Sequence, residues 1–215
     1  MTRRRHVAVA LLAALPCICG AACQLKRPDV PPSRMIEPLL IEPTQPATST
    51  TTPPSPGADP IAIRLLETQA RGNIGRRLLH QQPDGELVED VVWFWSITPD
   101  HYLDSALRLA LSSRRDVRLV DSGNAATMAV TLATWQLEST NSTQLVGVVE
   151  VVVTRPDRSV RTQLVRKSEP VSGELPGDLA AASGRLLQAL ASESVTRAIQ
   201  AATLNPRGLQ VTPDS

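Results

Sequence analysis

The distribution of proline divides this chain more sharply than any other feature. Ten of the 18 prolines fall between Gln24 and Pro60, together with the run Thr48-Ser49-Thr50-Thr51-Thr52. Proline cannot donate a backbone hydrogen bond and clashes with a preceding helical turn, so no helix or central strand runs through such a stretch. Without helical or strand periodicity it reads as an extended linker. In the polyproline form it would reach on the order of 100 Å. One apolar island interrupts it, Met35-Ile36-Glu37-Pro38-Leu39-Leu40-Ile41. If this island is a strand docked on the domain that follows, Pro38 confines it to a sheet edge.

Folding is thereby assigned to residues 61–203, about 140 residues, enough for one core that buries roughly two-thirds of the unfolded surface. The pattern predicts short strands at Ile61–Leu66 and Arg77–Gln81. Pro83-Asp84-Gly85 is a turn signal, and Glu86–Trp95 completes a hairpin. Thr98 and Pro99 mark the start of a helix that runs to about Ser112, with Asp100 well placed against its dipole. Leu103, Ala106, Leu107, Ala110 and Leu111 share one face of it. Strands follow at Val117–Val120 and from Met128 through Trp135 to Leu137. Leu145–Thr154 and Val160–Arg166 flank Arg155-Pro156-Asp157-Arg158 as a second hairpin. Gly177 or Asp178 would cap a last long helix, whose face is Leu187, Ala191, Val195, Ala198 and Ala202, with Leu190 and Ile199 beside it. The expected fold is α/β (α+β): a single small domain with a mixed, largely antiparallel sheet packed by two main helices. A tail at 204–215 would be flexible.

The first 22 residues read as an address. Arg3, Arg4 and Arg5 precede an apolar run from Val7 to Leu15, the pattern of a secretory signal and too short to span a bilayer. The three cysteines are Cys17, Cys19 and Cys23. Cys17 and Cys19 lie within the signal, and no His or Cys lies nearby to complete a metal site. Gly20-Ala21-Ala22-Cys23 resembles the lipobox of bacterial lipoproteins, with Gly20 where Leu is usual. Cleavage there would leave one cysteine, Cys23, carrying lipid (palmitate included), and no disulfide. Residues 23–60 would then be the lipidated Cys and its tether. Gln24 is not the Asp that usually retains lipoproteins in the inner membrane, so the sorting rule implies the periplasmic face of the outer membrane.

Removing the three arginines leaves 19 basic residues against 21 acidic. A near-neutral, slightly acidic mature chain argues against a general nucleic-acid binder. Catalysis has little support either. His80 and His101 are the only histidines beyond the signal, and Asp100 and His101 are helix neighbours that point apart. No Gly-x-Ser-x-Gly elbow occurs, and Gly72 and Gly75 belong to no phosphate-binding loop. Asn141-Ser142-Thr143 is a chance glycosylation sequon in a loop. No metal or other cofactor is expected beyond the lipid on Cys23. The best candidate for contact with a partner or lipid is the aromatic cluster of Trp93, Phe94, Trp95 and Tyr102, although core packing outweighs that role, as for Trp135.

Residues from Arg77-Leu78-Leu79 through Asp84-Gly85-Glu86-Leu87 to Trp95, Pro99, Tyr102-Leu103 and Ala106-Leu107 resemble the ABC-type transport auxiliary lipoprotein family. That family includes the paraquat-inducible protein C-like accessory lipoproteins of MCE systems. The resemblance covers about Ile61 to Ile199 plus the lipobox. It implies an outer-membrane lipoprotein that docks an MCE-domain protein and its ABC transporter, in a system that moves phospholipid between membranes. The tether is longer than the family pattern, and the Tyr-rich first strand is missing unless Met35–Ile41 replaces it. Long hairpins offer edges for a homo-oligomer. From another class, a long tether and small domain also suit a regulator that reaches through the cell wall to a peptidoglycan synthase. A lipid-binding chaperone would need an apolar cavity.

Overall fold

The alternating apolar stretch from Ala126 onward becomes the spine of the molecule. The computed structural model describes residues 32–40, 59–139, 142–173 and 176–203. The expected signal, Cys23, most of the Pro/Thr-rich tether, Asn141 and the tail from 204 lie outside the described residues. From Ser33 onward the chain forms one unit. Its elements are β1 (Arg34–Ile36), β2 (Ile61–Leu65), β3 (Gln69–Ala70), β4 (Arg77–Gln81), β5 (Leu87–Trp95), α1 (Pro99–Ser112), β6 (Val117–Leu119), β7 (Ala126–Ser139), β8 (Thr143–Thr154), β9 (Val160–Pro170) and α2 (Pro176–Thr203).

These strands make one nine-stranded mixed sheet. One edge of β7 pairs antiparallel with β8 along nearly its whole length, and β8 pairs antiparallel with β9. The other edge of β7 is tiled by three short parallel strands, β2, β3 and β4. Beyond β2 lies β6, and beyond β4 lie β5 and then β1 at the margin. The long hairpins make most of the paired residues antiparallel, as the sequence predicts, although the short strands add parallel neighbours.

Strand alternation sorts side chains to the two faces. Leu145, Val149, Val151 and Val153 of β8, with Met128, Val130 and Leu132 of β7, are buried and join Leu103, Leu107, Leu187 and Leu190 of the helices in one core. Both helices lie on this face. The expected helix stripes are buried, except that Ala110 and Ala202 are only half-buried. Gly147 sits opposite Trp135 in the β7–β8 ladder, and a Cβ there would come within 2.6 Å of Leu190 Cδ1. The missing side chain makes room for both.

Three element starts refine the sequence expectations. Thr98 has the extended backbone of an N-cap, but its side chain makes no capping hydrogen bond; Pro99 at the first helical position sets the start instead. The second helix begins at Pro176, ahead of the expected Gly177 or Asp178, because proline is tolerated in a first turn. The folded unit also starts before Ile61. The island supplies the three-residue β1, which ends before Pro38, and the unit reaches back to Ser33. Ile36, only 1% exposed, is part of the core and anchors this segment.

Candidate functional site

The β4–β5 hairpin and the β1 segment lying on it form the most irregular margin of the sheet. The turn between the strands is closed by Gln82 and Glu86, with the Asp84 carboxylate accepting from the Glu86 N–H at 3.0 Å. The ladder then pairs Leu79 with Glu89 but Arg77 with Phe94, so β5 bulges between Glu89 and Phe94. Asp90 organises the bulge. Its Oδ1 accepts the N–H groups of Val92 at 2.7 Å and Trp93 at 3.0 Å, and its Oδ2 lies 2.8 Å from His80 Nε2. Burial by itself would raise the Asp90 pKa. The two backbone N–H groups and His80 together outweigh it and hold the carboxyl below its ordinary value. The sequence places His80 and Asp90 on facing strands of one hairpin, so the pairing was accessible in principle; the bulge that brings them together was not.

The bulge separates the fates of the aromatic residues. Trp95 is fully buried, with its ring edge-on to Trp135 at a centroid distance of 5.7 Å and 64° between planes. Tyr102 is also buried, and its hydroxyl is hydrogen-bonded to that of Ser96. These two belong to the core and offer no partner surface, which corrects half of the expected contact cluster. Trp93 and Phe94 stay half-buried at the margin. Arg34 lies over the Trp93 ring at 5.3 Å and Arg77 over the Phe94 ring at 5.1 Å, both within cation–π range.

The β1 segment is fastened to this margin at several points. Arg34, Met35 and Ile36 pair in parallel with Trp93, Phe94 and Trp95. The Ser96 N–H donates to the Ile36 carbonyl at 2.9 Å, and the Leu39 N–H donates to the Ala180 carbonyl of α2 at 3.2 Å. A Cβ built on Gly184 would lie 2.7 Å from the Leu39 carbonyl carbon and closer still to its oxygen. Only glycine admits the Leu39 backbone against α2. Leu40 then packs beside a groove of about 220 Å³ between α1 and α2, floored by Ala106, Ala110, Ala191 and Val195.

This fastening redefines the tether. Nine residues, Gln24–Pro32, separate Cys23 from Ser33, and a fully extended chain of that length spans about 35 Å at most. The rest of the Pro/Thr-rich stretch runs between Leu40, beside the helices, and Ile61, whose N–H donates to the Asp116 carbonyl at 2.9 Å.

Outside the strap, Ser33, Met35, Gly75, Arg76, Arg77, Glu89 and Phe94 line an open groove of about 540 Å³. Arg76 Nε donates to the Trp95 carbonyl at 3.1 Å, and Arg77 Nε lies 3.4 Å from Glu89. Among the described residues no group of three or more His, Cys, Asp or Glu could hold a metal ion, and no helix is long and apolar enough to cross a membrane.

One functional role was missed in the sequence. Arg155, read as a turn residue, is buried, and its Nε donates to the Ala201 carbonyl at 2.6 Å in the last turn of α2. A buried cation there complements the helix dipole and ties the second hairpin to the helix end.

No family model and no curated protein matches this chain. Solved structures do. A Xanthomonas campestris protein of the DUF330 family is similar with a TM-score of 0.56 at 15% identity, covering 68% of this chain and 94% of that one. An uncharacterized protein is similar with a TM-score of 0.53 at 14% identity, covering 66% and 92%. These two establish a shared fold. A minor lipoprotein from Acinetobacter baumannii covers 65% of this chain and 92% of its own at 14% identity, with a TM-score of 0.35, too low to bear on this chain.

Proposed function

We propose that this protein is a lipid-anchored accessory lipoprotein, attached through Cys23 to the periplasmic face of the outer membrane, that serves an ABC/MCE-type intermembrane phospholipid transport system by docking on its MCE-domain component. The observation that carries this reading is the short leash. With β1 fastened to β5 and α2, the domain stays within about 35 Å of its anchor. That suits a part that receives the far end of a bridge at the membrane. It opposes the regulator of a peptidoglycan synthase, whose main support was a tether on the order of 100 Å.

The docking reading requires neither catalysis nor a bound cofactor. The Arg77 to Leu107 resemblance supports the family, and the fold shared with the DUF330 protein is compatible with it. A lipid-binding chaperone is less favoured, because the apolar groove between the helices holds about 220 Å³, below the range of about 300–1,000 Å³ usual for small-molecule pockets, and the groove of about 540 Å³ is open and lined by Arg76, Arg77 and Glu89.

In-cell crosslinking of the full chain, followed by pulldown and mass spectrometry, tests the proposal. Capture of an MCE-domain protein is the expected result. Capture of a peptidoglycan synthase with no MCE protein would overturn it.

A further inference from the structure

We infer that the open edge of β9 is a self-association surface, on which a second copy of this chain pairs antiparallel about a two-fold axis at Val165. The edge geometry, the order of charges along the strand and the position of α2 each point to that partner.

β9 is 11 residues long and, among the described residues, pairs only with β8. The N–H and C=O of a strand residue point to the same side, and successive residues alternate. The Arg155 N–H donates to the Ser159 carbonyl at 2.9 Å, and the Val171 N–H to the Thr143 carbonyl at 3.0 Å. Odd-numbered residues of β9 therefore bond to β8, and even-numbered residues turn their backbone groups to the open edge. Arg197 of α2 marks the same side, since its Nη1 donates to the Leu164 carbonyl at 2.9 Å. The ladder to β8 is unbroken from Val160 to Pro170. No bulge twists this edge away, and its proline stands only at the end, so the edge can template another strand.

Pairing about Val165, the middle of the strand, engages all of β9 and sets complementary residues opposite one another. Arg161 faces Glu169 of the second copy, Gln163 faces Lys167, and Thr162 faces Ser168. Arg161 is exposed and has no ion pair of its own among the described residues. Leu164 and Val160, 61% and 59% exposed, come to lie against the stem of Arg166 and the ring of Pro170. Arg166 keeps the Glu138 of its own copy, 3.1 Å away. A register that sets Leu164 opposite Leu164 would instead oppose Arg161 to Lys167, which like charge disfavours.

The helix behind the strand fits the same axis. α2 packs on both β8 and β9, with Arg185 beside Glu169 and Glu193 beside Lys167. Two β9 strands at the usual spacing of about 4.8 Å set the two α2 helices about 10 Å apart, an ordinary helix–helix distance. Arg197, which also donates to Glu193 at 2.8 Å, then comes opposite Glu193 of the second copy. The Leu164 carbonyl exchanges the Arg197 guanidinium for the Arg166 N–H of the second copy. β1 and the β4–β5 margin lie at the far end of the sheet and stay open. A two-fold contact uses the same edge on both copies, so assembly closes at a dimer.

Disulfide capture and sedimentation equilibrium of the full chain, purified from membranes in detergent, test the inference. Thr162→Cys with Ser168→Cys places thiols opposite each other in the pair. Within one copy they are about 20 Å apart along the strand, too far to bridge. Oxidation is expected to link the doubly substituted chain into a covalent dimer, and to leave each single substitution and the unsubstituted chain unlinked. Sedimentation is expected to show a dimer whose Kd rises about tenfold in Arg161→Glu, because that change sets like charges opposite each other at both ends of the strand pair. A chain that is monomeric throughout, or that grows into larger species without closing at two copies, overturns the inference. So does a dimer that oxidation fails to capture and Arg161→Glu leaves unchanged. The same oxidation in cells separates the occupants, since a disulfide to a different protein in place of the dimer assigns the edge to that protein and overturns self-association.

Discussion

The two flanks of the sheet are built by different rules. On one side β7, β8 and β9 run in long antiparallel register, with Leu145, Val149, Val151, Val153 and Val165 buried beneath the helices. On the other, β4 and β5 are bulged, β1 has three residues, and the aromatics Trp93 and Phe94 sit under arginines at the rim. The first flank obtains its stability from continuous burial, which depends on area and tolerates little change in volume. The second is held by a few specific contacts: the Asp90 carboxylate, the Gly184 opening and the Ile36 anchor. Regular pairing suits a scaffold. A margin secured by discrete contacts can expose side chains and adjust to a neighbouring surface.

Substitutions that separate the two flanks sharpen this contrast, and the largest effect belongs to the core. Trp95→Ala removes a fully buried ring from against Trp135 and should cost about 3–5 kcal/mol, read as a large fall in the denaturation midpoint. An intact midpoint would place Trp95 outside the core and undo the division drawn here. Gly184→Val comes next. Its Cβ meets the Leu39 backbone rather than a movable side-chain tip, so the expected cost is about 1–3 kcal/mol. Hydrogen exchange should show faster exchange at Ile36–Leu40 with β7 and β8 still protected. If all strands lose protection together, the strap is inseparable from the core.

Asp90→Asn removes the carboxylate that holds the bulge and should cost about 1–2 kcal/mol near neutral pH. Because the folded Asp90 pKa lies below its ordinary value of 3.8, its contribution is fully present above that value and is lost as pH falls through the folded pKa. Acid titration of both proteins should therefore narrow the gap only as pH falls below 3.8 and close it once pH is below the folded pKa. A gap that persists in strong acid would assign the effect to shape rather than charge. A smaller effect than that of Trp95→Ala is expected for Trp93→Ala, about 1 kcal/mol, since its ring is only partly buried against the core and its contact with Arg34 contributes little to folding. Crosslinked capture in cells, with and without the substitution, then tells whether this residue acts in docking, while a stability loss near that of Trp95→Ala would merge the two flanks.

Much of the framework was legible beforehand because it depends on local periodicity. The α1 stripe, the β8–β9 hairpin around Pro156-Asp157 and the α2 face follow from spacing alone, and they appear where spacing puts them. Residues whose role depends on distant partners were less readable. Trp93 and Trp95 are two apart on one strand, and nothing in that spacing says that the first takes Arg34 on its face while the second stacks against Trp135. Arg155 looked like a turn residue because its partner, the Ala201 carbonyl, is 46 positions away.

By itself, then, the sequence determined the concentration of proline ahead of the domain and the class of the fold, since each rests on residues adjacent in the chain or spaced at the period of a helix or strand. The tertiary structure decided the length of the leash and which aromatics remain near the surface. The apolar island marked a possible edge strand, but its partner and its fastening were not readable, because it pairs where β5 offers a parallel edge and Gly184 leaves space for the backbone of Leu39.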